Sequence, residues 1–267
     1  MIILKLGGSV ITKKEAKDPT IDHDNLNRIA EEIGSSSFDK LIIIHGAGSF
    51  GHPFARKYFI GSSIKNEDDL NYKKLGFSIT QSWVKKLNTI VCESLRENGV
   101  LSLSIQPSSF IITKNKRIYS CDLTLIKKYL DLGFVPVIYG DVVLDMDETI
   151  KMCVLSGDQI IQYLGENLKP QRVILGSDVD GIYTKNPKKY PDAELIETVT
   201  SCEDLSAEGS LNVDVTGGMK GKLRELLDLA EIGVESEILN ACRRGFIKRA
   251  LGHQKGIGTI VKKKTRV

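Results

Sequence analysis

A three-layer α/β sandwich around a central, mostly parallel sheet is the fold that this 267-residue sequence predicts, and three observations carry that expectation. Short β-branched runs alternate with longer segments of helical period, which implies βαβ crossovers. The runs at 41–44 and 135–138 are apolar without interruption, as strands buried on both faces of a parallel sheet should be. Several of the runs are followed directly by glycine, at the sheet edge where open α/β folds bind their ligands.

In chain order, the strand candidates are 2–6, 40–45, 101–105, 135–139, 173–175, 236–240 and 259–262. Each is a short, β-branched segment with a helical or polar segment on either side. The helix candidates between them are 24–33, 69–98, 123–131, 157–168 and 219–232, where apolar residues recur at helical spacing. The charged run 65–74 reads as a solvated loop or helix start. Residues 186–209, with two prolines and many acids, read as a long surface excursion, and the basic tail 262–266 as a solvated terminus. No repeat or low-complexity linker divides the chain.

Composition bounds the function without choosing it. Apolar residues are 41% and charged residues 27% of the chain, an ordinary globular balance that supports a substantial core. The net charge of +3 (37 basic minus 34 acidic residues) is too small to argue for a nucleic-acid partner. No apolar run approaches the ~18 residues of a membrane span. Met1 leads straight into a strand-like run, so no secretory signal is expected. The cysteines, at 92, 121, 153, 202 and 242, lack metal or redox spacing and read as reduced thiols of a cytoplasmic protein.

The chemistry concentrates where the glycines sit. The strand candidates are followed by Lys5-Leu6-Gly7-Gly8-Ser9, by His45-Gly46-Ala47-Gly48-Ser49-Phe50-Gly51-His52, by Gly140-Asp141 and by Gly176-Ser177-Asp178-Val179-Asp180-Gly181; Thr216-Gly217-Gly218-Met219 opens a helix. Turns of this kind expose backbone N–H groups, and together with helix N-termini they favour an anion, typically phosphate. Three lookalikes fail. Gly46-x-Gly48-x-x-Gly51 has dinucleotide-fingerprint spacing, but it follows the second strand and lacks an acid at a later strand end. Gly217 to Lys222 is one residue short of a P-loop and has Leu223 in place of Ser or Thr, and Asp178-x-Asp180-Gly181 is only a fragment of a calcium loop.

Lys5 lies inside an apolar strand and must be paired or functional. Lys14 and Lys222 come from separate segments that lead to the same edge, and Asp158, at a helix start, is the acid best placed to orient them. His52 follows the glycine loop and, protonated, donates to a phosphate oxygen. His45 ends a buried strand and reads as structural, while His23 and His253 read as surface residues. No Ser/His/Asp or Cys/His arrangement has support from its context.

Lys5 to Ser9, Gly176 to Pro187 and Asp214 to Met219 together resemble the amino-acid kinase superfamily over nearly the whole chain. Within it, the stretch from His45 to Pro53 resembles the archaeal isopentenyl phosphate kinases, with Asp141 and Ser156-Gly157-Asp158 in agreement. The resemblance implies the amino-acid kinase fold in one domain, 1–267. In that domain the part to about residue 155 binds the acceptor and 156–267 binds ATP. It implies ATP as co-substrate with Mg²⁺, isopentenyl phosphate as acceptor, and a homodimer. It further implies that Lys5 and Lys14 stabilise the transferring phosphoryl group and that Asp158 orients the lysines. Gly7, Gly8, Ser9, Gly48 and Lys222 would hold the ATP phosphates, and Asp178, Tyr183 and Gly217 the rest of the nucleotide. The acceptor phosphate would lie on Ala47, Gly48, Gly51, His52 and Gly157, with the five-carbon tail against Phe77, helped by Ile79 or Val84. The adjacent Lys13 leaves open which of the two lysines reaches the phosphates. A sibling kinase for another small phosphate or phosphonate such as fosfomycin, or a non-catalytic nucleotide sensor, are the alternatives.

Overall fold

In the computed structural model, residues 1–13, 16, 18–185, 187, 190–201 and 217–264 are described. The elements in order are β1 (Ile2–Leu6), α1 (Gly8–Ile11), α2 (His23–Gly34), β2 (Leu41–His45), α3 (Gly48–Lys57), α4 (Glu67–Glu97), β3 (Ser102–Ile105), a 3₁₀ turn (Pro107–Ser109), β4 (Ile111–Lys114), β5 (Arg117–Cys121), α5 (Thr124–Asp131) and β6 (Val135–Tyr139). There follow β7 (Asp141–Leu144), β8 (Met152–Leu155), α6 (Gly157–Leu168), β9 (Arg172–Ser177), β10 (Ile182–Tyr183), β11 (Leu195–Ile196), β12 (Thr198–Val199), α7 (Gly217–Glu231), β13 (Ser236–Asn240), α8 (Phe246–Leu251) and β14 (Thr259–Val261).

Eight strands make the main sheet, in the order β12-β14-β13-β9-β1-β2-β6-β3. All neighbours run parallel except β13 and β14. Side chains alternate across a strand, so β1 divides its residues between two cores. Ile2, Leu4 and Leu6 join the core under α2, α4 and α8, whereas Ile3 joins the core under α5, α6 and α7. Lys5 belongs by parity with Ile3 and therefore faces α6 and α7. The register seats it between Ile44 of β2 and Leu175 of β9, at the middle of the sheet.

The helices start where their caps direct. Asp22 accepts from Asn25 N at 3.2 Å, Asn66 from Asp69 N at 2.9 Å and Ser156 from Gln159 N at 3.1 Å. The charged run at 65–74 is thus the capped first turns of α4. It is not wholly solvated: Lys73 is buried, 2.5 Å from Asp69 and 2.9 Å from the Ser63 carbonyl. The excursion at 186–209 falls partly outside the described residues. Its described part is more than surface, since β11 pairs with β10, and β12 extends the main sheet with Val199 fully buried. Helix α3 and the hairpins β4–β5 and β7–β8 add to the predicted elements.

Candidate active site

Strands β1, β2, β6 and β9 end at one edge of the sheet, and the turns that follow are stitched together by their backbones. Gly7 N–H donates to the Gly176 carbonyl at 2.8 Å, Gly46 N–H to Leu6 O at 2.9 Å, and Gly140 N–H to His45 O at 3.0 Å. Thr12, buried, joins the first two turns further: its hydroxyl donates to Gly8 O at 2.7 Å and its oxygen accepts from Ser49 N at 3.1 Å. Gly8 and Gly48 touch backbone to backbone. A Cβ on Gly8 would stand 2.4 Å from Gly48 N, and Gly48 itself has φ of +50°. Only glycine fits that contact.

Above these turns opens a cleft of about 690 Å³. Lys5, Gly7, Gly8, Ser9, Ala47, Gly48, Gly51, His52, Gly157, Asp158 and Lys222 all line it, so the structure brings together residues that the sequence scatters over more than 200 positions. Lys5 is only 5% exposed and its ammonium is paired with the Asp158 carboxylate, in the first turn of α6. Burial lowers the Lys5 pKa from its ordinary value; Asp158 opposes that shift, and Lys222 adds to it. Glu225, one turn beyond Lys222 on α7, lies close enough to favour the charged form of Lys5, and no sequence signal singles it out.

His52 opens onto the cleft from α3. Although its ring is exposed in the open cleft, partial desolvation by the cleft walls holds its pKa below the ordinary imidazole value, and Arg56, Lys5 and Lys222 push it the same way. His45 is structural, as its position suggests. Nδ1 lies 3.1 Å from Gly46 O, Asn88 Nδ2 lies 3.1 Å from Nε2, and burial drives its pKa down to about 4. Asp141 also lines the cleft; burial raises its pKa to about 6 although Ser108 N and Val142 N both donate to its carboxylate.

An apolar wall completes the cleft at Thr80, Val84, Val142 and Val154. The Thr80 hydroxyl is engaged with Gly76 O at 2.7 Å, so its polar end is satisfied within α4. Phe77 and Ile79, expected to receive an apolar tail, are not among the lining residues; Val84 is. Ile79, next to Thr80, points another way around the helix, and for Phe77 the reason is axial. At Gly76 the helix abuts Tyr58, the residue that ends α3, so the turn carrying Phe77 falls past the end of the cleft.

Other expected residues sit at its margin or beyond. Gly176 and Ser177 line the cleft, whereas Asp178, Tyr183 and Gly217 do not. Tyr183 donates its hydroxyl to Asp180 at 3.0 Å, and Gly217 starts α7. Lys14 lies outside the described residues, as does the segment 202–216 before Gly217. Lys13 donates its backbone N–H to Thr20 O and does not line the cleft. Arg56 and Lys57 line it without having been singled out from sequence, because the glycines and Pro53 of α3 disguise a helix whose His52 and Arg56 stand one turn apart.

The amino acid kinase family model matches residues 1–240. Isopentenyl phosphate kinase of Methanothermobacter thermautotrophicus is 58% identical over 98% of both chains, and that of Methanocaldococcus jannaschii 38% identical over 84% of this chain and 85% of its own. An X-ray structure of isopentenyl phosphate kinase superposes with a TM-score of 0.90 at 54% identity, covering 98% of this chain and all of the other. The Thermoplasma acidophilum isopentenyl phosphate kinase product complex superposes with a TM-score of 0.78 at 30% identity over 98% of this chain. With the glycine turns, the Lys5–Asp158 pair and His52 assembled in one cleft, the chain belongs to the amino acid kinase family and, within it, to the isopentenyl phosphate kinases.

Proposed function

We propose that this chain transfers the γ-phosphoryl group of ATP to isopentenyl phosphate, giving isopentenyl diphosphate and ADP. The observation that carries the reading is the conjunction, in one cleft, of a glycine-turn anion site, His52 and an apolar wall with the buried Lys5–Asp158 pair. A monophosphate on a short hydrocarbon tail matches that combination. The acceptor oxygen is already ionised near neutral pH, since a phosphate monoester has its second pKa near about 6. It attacks the γ-phosphorus in line as the bond to the ADP oxygen breaks, so transfer asks for positioning and charge neutralisation, with no base needed to remove a proton.

In this reading the N-terminal part, to about residue 155, holds the acceptor and the remainder holds ATP. His52 and the backbone of Ala47, Gly48, Gly51 and Gly157 receive the acceptor phosphate. Lys5, fixed by Asp158, and Lys222 face the triphosphate beside Gly7, Gly8 and Ser9, while Asp178, Tyr183 and Gly217 lie toward the nucleoside. Lys14 stabilises the moving phosphoryl group. The tail rests on Thr80, Val84, Val142 and Val154. In this reading Mg²⁺ enters on the triphosphate oxygens and keeps several waters of its own. When bound, that ion neutralises charge on the phosphates. A homodimer is supported by β3, which ends the main sheet with no described strand on its outer side, and by Leu101 just before it, which is 61% exposed. A cytoplasmic setting is supported by the free thiols of Cys92, Cys121, Cys153 and Cys242; no described helix is long and apolar enough to cross a membrane.

An ADP-release assay with isopentenyl phosphate, dimethylallyl phosphate, fosfomycin, acetylglutamate and UMP tests the reading. Selective turnover of the isoprenoid monophosphates is expected; preference for any other acceptor overturns it. In the same assay His52→Ala should raise KM for isopentenyl phosphate about 10- to 100-fold, the worth of a charge-assisted hydrogen bond, with KM for ATP nearly unchanged. A bound dianion raises the imidazole pKa that the empty cleft lowers, so a proton is taken up on binding. The acceptor KM of the parent therefore rises as pH climbs from the lowered pKa of the empty site toward the raised one of the complex, and that of His52→Ala stays flatter. Lys14→Ala should lower kcat about 100-fold at little cost in either KM, because its contact strengthens only in the transition state. Equal losses for both substrates in His52→Ala, or an unchanged kcat in Lys14→Ala, would remove those roles.

A further inference from the structure

Helix α3 presents a second cation to the cleft. Arg56 follows His52 by four residues, so the two side chains share one helical face, and both line the cleft. Lys57, the next residue, is turned over the Tyr58 ring, 5.3 Å from its centroid. Arg56 is exposed, and among the described residues its side chain makes no ion pair or hydrogen bond. A basic residue in the last turn does complement the helix dipole, but Lys57 meets that need as well and neither has to face the cleft for it.

The pairing with His52 is informative because it is unfavourable in the empty site. Of the charges that depress the His52 pKa, Arg56 contributes most, ahead of Lys5 and Lys222. An imidazole and a guanidinium one turn apart repel once both are charged, and a dianion between them turns that repulsion into two attractions. The guanidinium keeps its charge at every working pH and offers a planar fork of N–H donors that matches phosphate oxygens, two properties imidazole lacks.

We propose that Arg56 is a second ligand of the acceptor phosphate, gripping the monophosphate dianion beside His52 and supplying the permanent positive charge of that subsite. The inference rests on the acceptor reading given above and adds a residue to it. Its scope is any acceptor that ends in a phosphate monoester or phosphonate dianion; a carboxylate acceptor would leave one of the two cations unmatched.

Calorimetric titration of isopentenyl phosphate into the parent, R56A and R56K, with KM measured for both substrates, tests it. Arg56 is on the surface, so each variant should fold, and KM for ATP reports that it has. R56A is expected to weaken isopentenyl phosphate binding about 10- to 50-fold and to leave KM for ATP within about twofold, while R56K recovers part of the loss. Unchanged acceptor affinity in R56A, or a loss shared equally with ATP, overturns the assignment. A parent protein that binds ATP but not isopentenyl phosphate overturns the functional reading itself, a result distinguishable from the first because it appears before any substitution is made.

Discussion

Asp158→Ala should cost the protein both its turnover and a measurable part of its stability. Lys5 is 5% exposed at the centre of the sheet, and its ammonium has Asp158 as its partner. Removing one member of a buried ion pair typically costs about 3–5 kcal/mol, because the other charge is left uncompensated. The Asp158 side chain is 20% exposed and cleft water relieves part of that loss, so about 2–4 kcal/mol is expected. The same change removes the largest influence that opposes burial and Lys222 in setting the Lys5 pKa, which then falls further. An ammonium whose charged form is less favoured and whose position is no longer fixed stabilises a transferring phosphoryl group poorly, and kcat should drop about 1,000-fold. Lys5→Met separates the two consequences: turnover falls comparably, but stability falls less, because the carboxylate left behind is 20% exposed to cleft water while an apolar chain of similar length replaces the more deeply buried charge. The double variant Lys5→Met/Asp158→Ala should regain most of the stability lost in Asp158→Ala and none of the activity. Urea unfolding beside steady-state rates reads all three. A fully stable Asp158→Ala would mean that the pair does not hold Lys5.

The second large effect is expected at Gly8. Its neighbour across the cleft floor is backbone, with Gly48 N and Cα at 2.4 and 2.6 Å from where a Cβ would stand. Neither atom can rotate aside, so Gly8→Ala must part the two turns and disturb the Thr12 bonds that join them. Overpacking of this kind costs about 1–3 kcal/mol and occasionally more, and the upper end applies here because the obstacle is main chain. Activity should be nearly abolished even where the protein still folds. Gly7→Ala is the contrasting case: its Cβ would lie 3.2 Å from Gly176 O, and Gly7 has φ of −57°, open to any residue. Thermal unfolding and kcat/KM of both variants would check this, and a Gly8→Ala protein as active as Gly7→Ala would refute it.

What the sequence revealed, and what it hid, follows from how local each signal is. The bounds read for β1, β6, β13 and α6 coincide with those observed: β6 is a continuous apolar run and Ser156 caps α6, while β1 and β13 are short runs ended by a glycine turn or a polar residue. The Lys5–Asp158 pairing was legible across 153 residues because a charge inside a buried strand requires a counter-charge. Helix α3 was not, because Gly48, Gly51 and Pro53 argue locally against a helix. The helix is held instead by Phe50 and Phe54, whose rings lie 6.0 and 5.6 Å from Trp83 on α4. With α3 unread, the alignment of Arg56 with His52 stayed hidden. On α4, Val84 lines the cleft and Phe77 does not, because periodicity gives direction around a helix axis and not position along it.

The meeting of Gly8 and Gly48 also bears on how such a protein can diverge. Side chains such as Val84 or Val154 can be exchanged one at a time, reshaping what the apolar wall admits while the rest of the cleft stands still. The separation of the two turns has no such adjustable part: backbone lies on backbone, and no substitution can trim it. Inherited variation is therefore steered toward which molecules are accepted, and away from the span between the two turns, which descends unchanged or is lost with the fold.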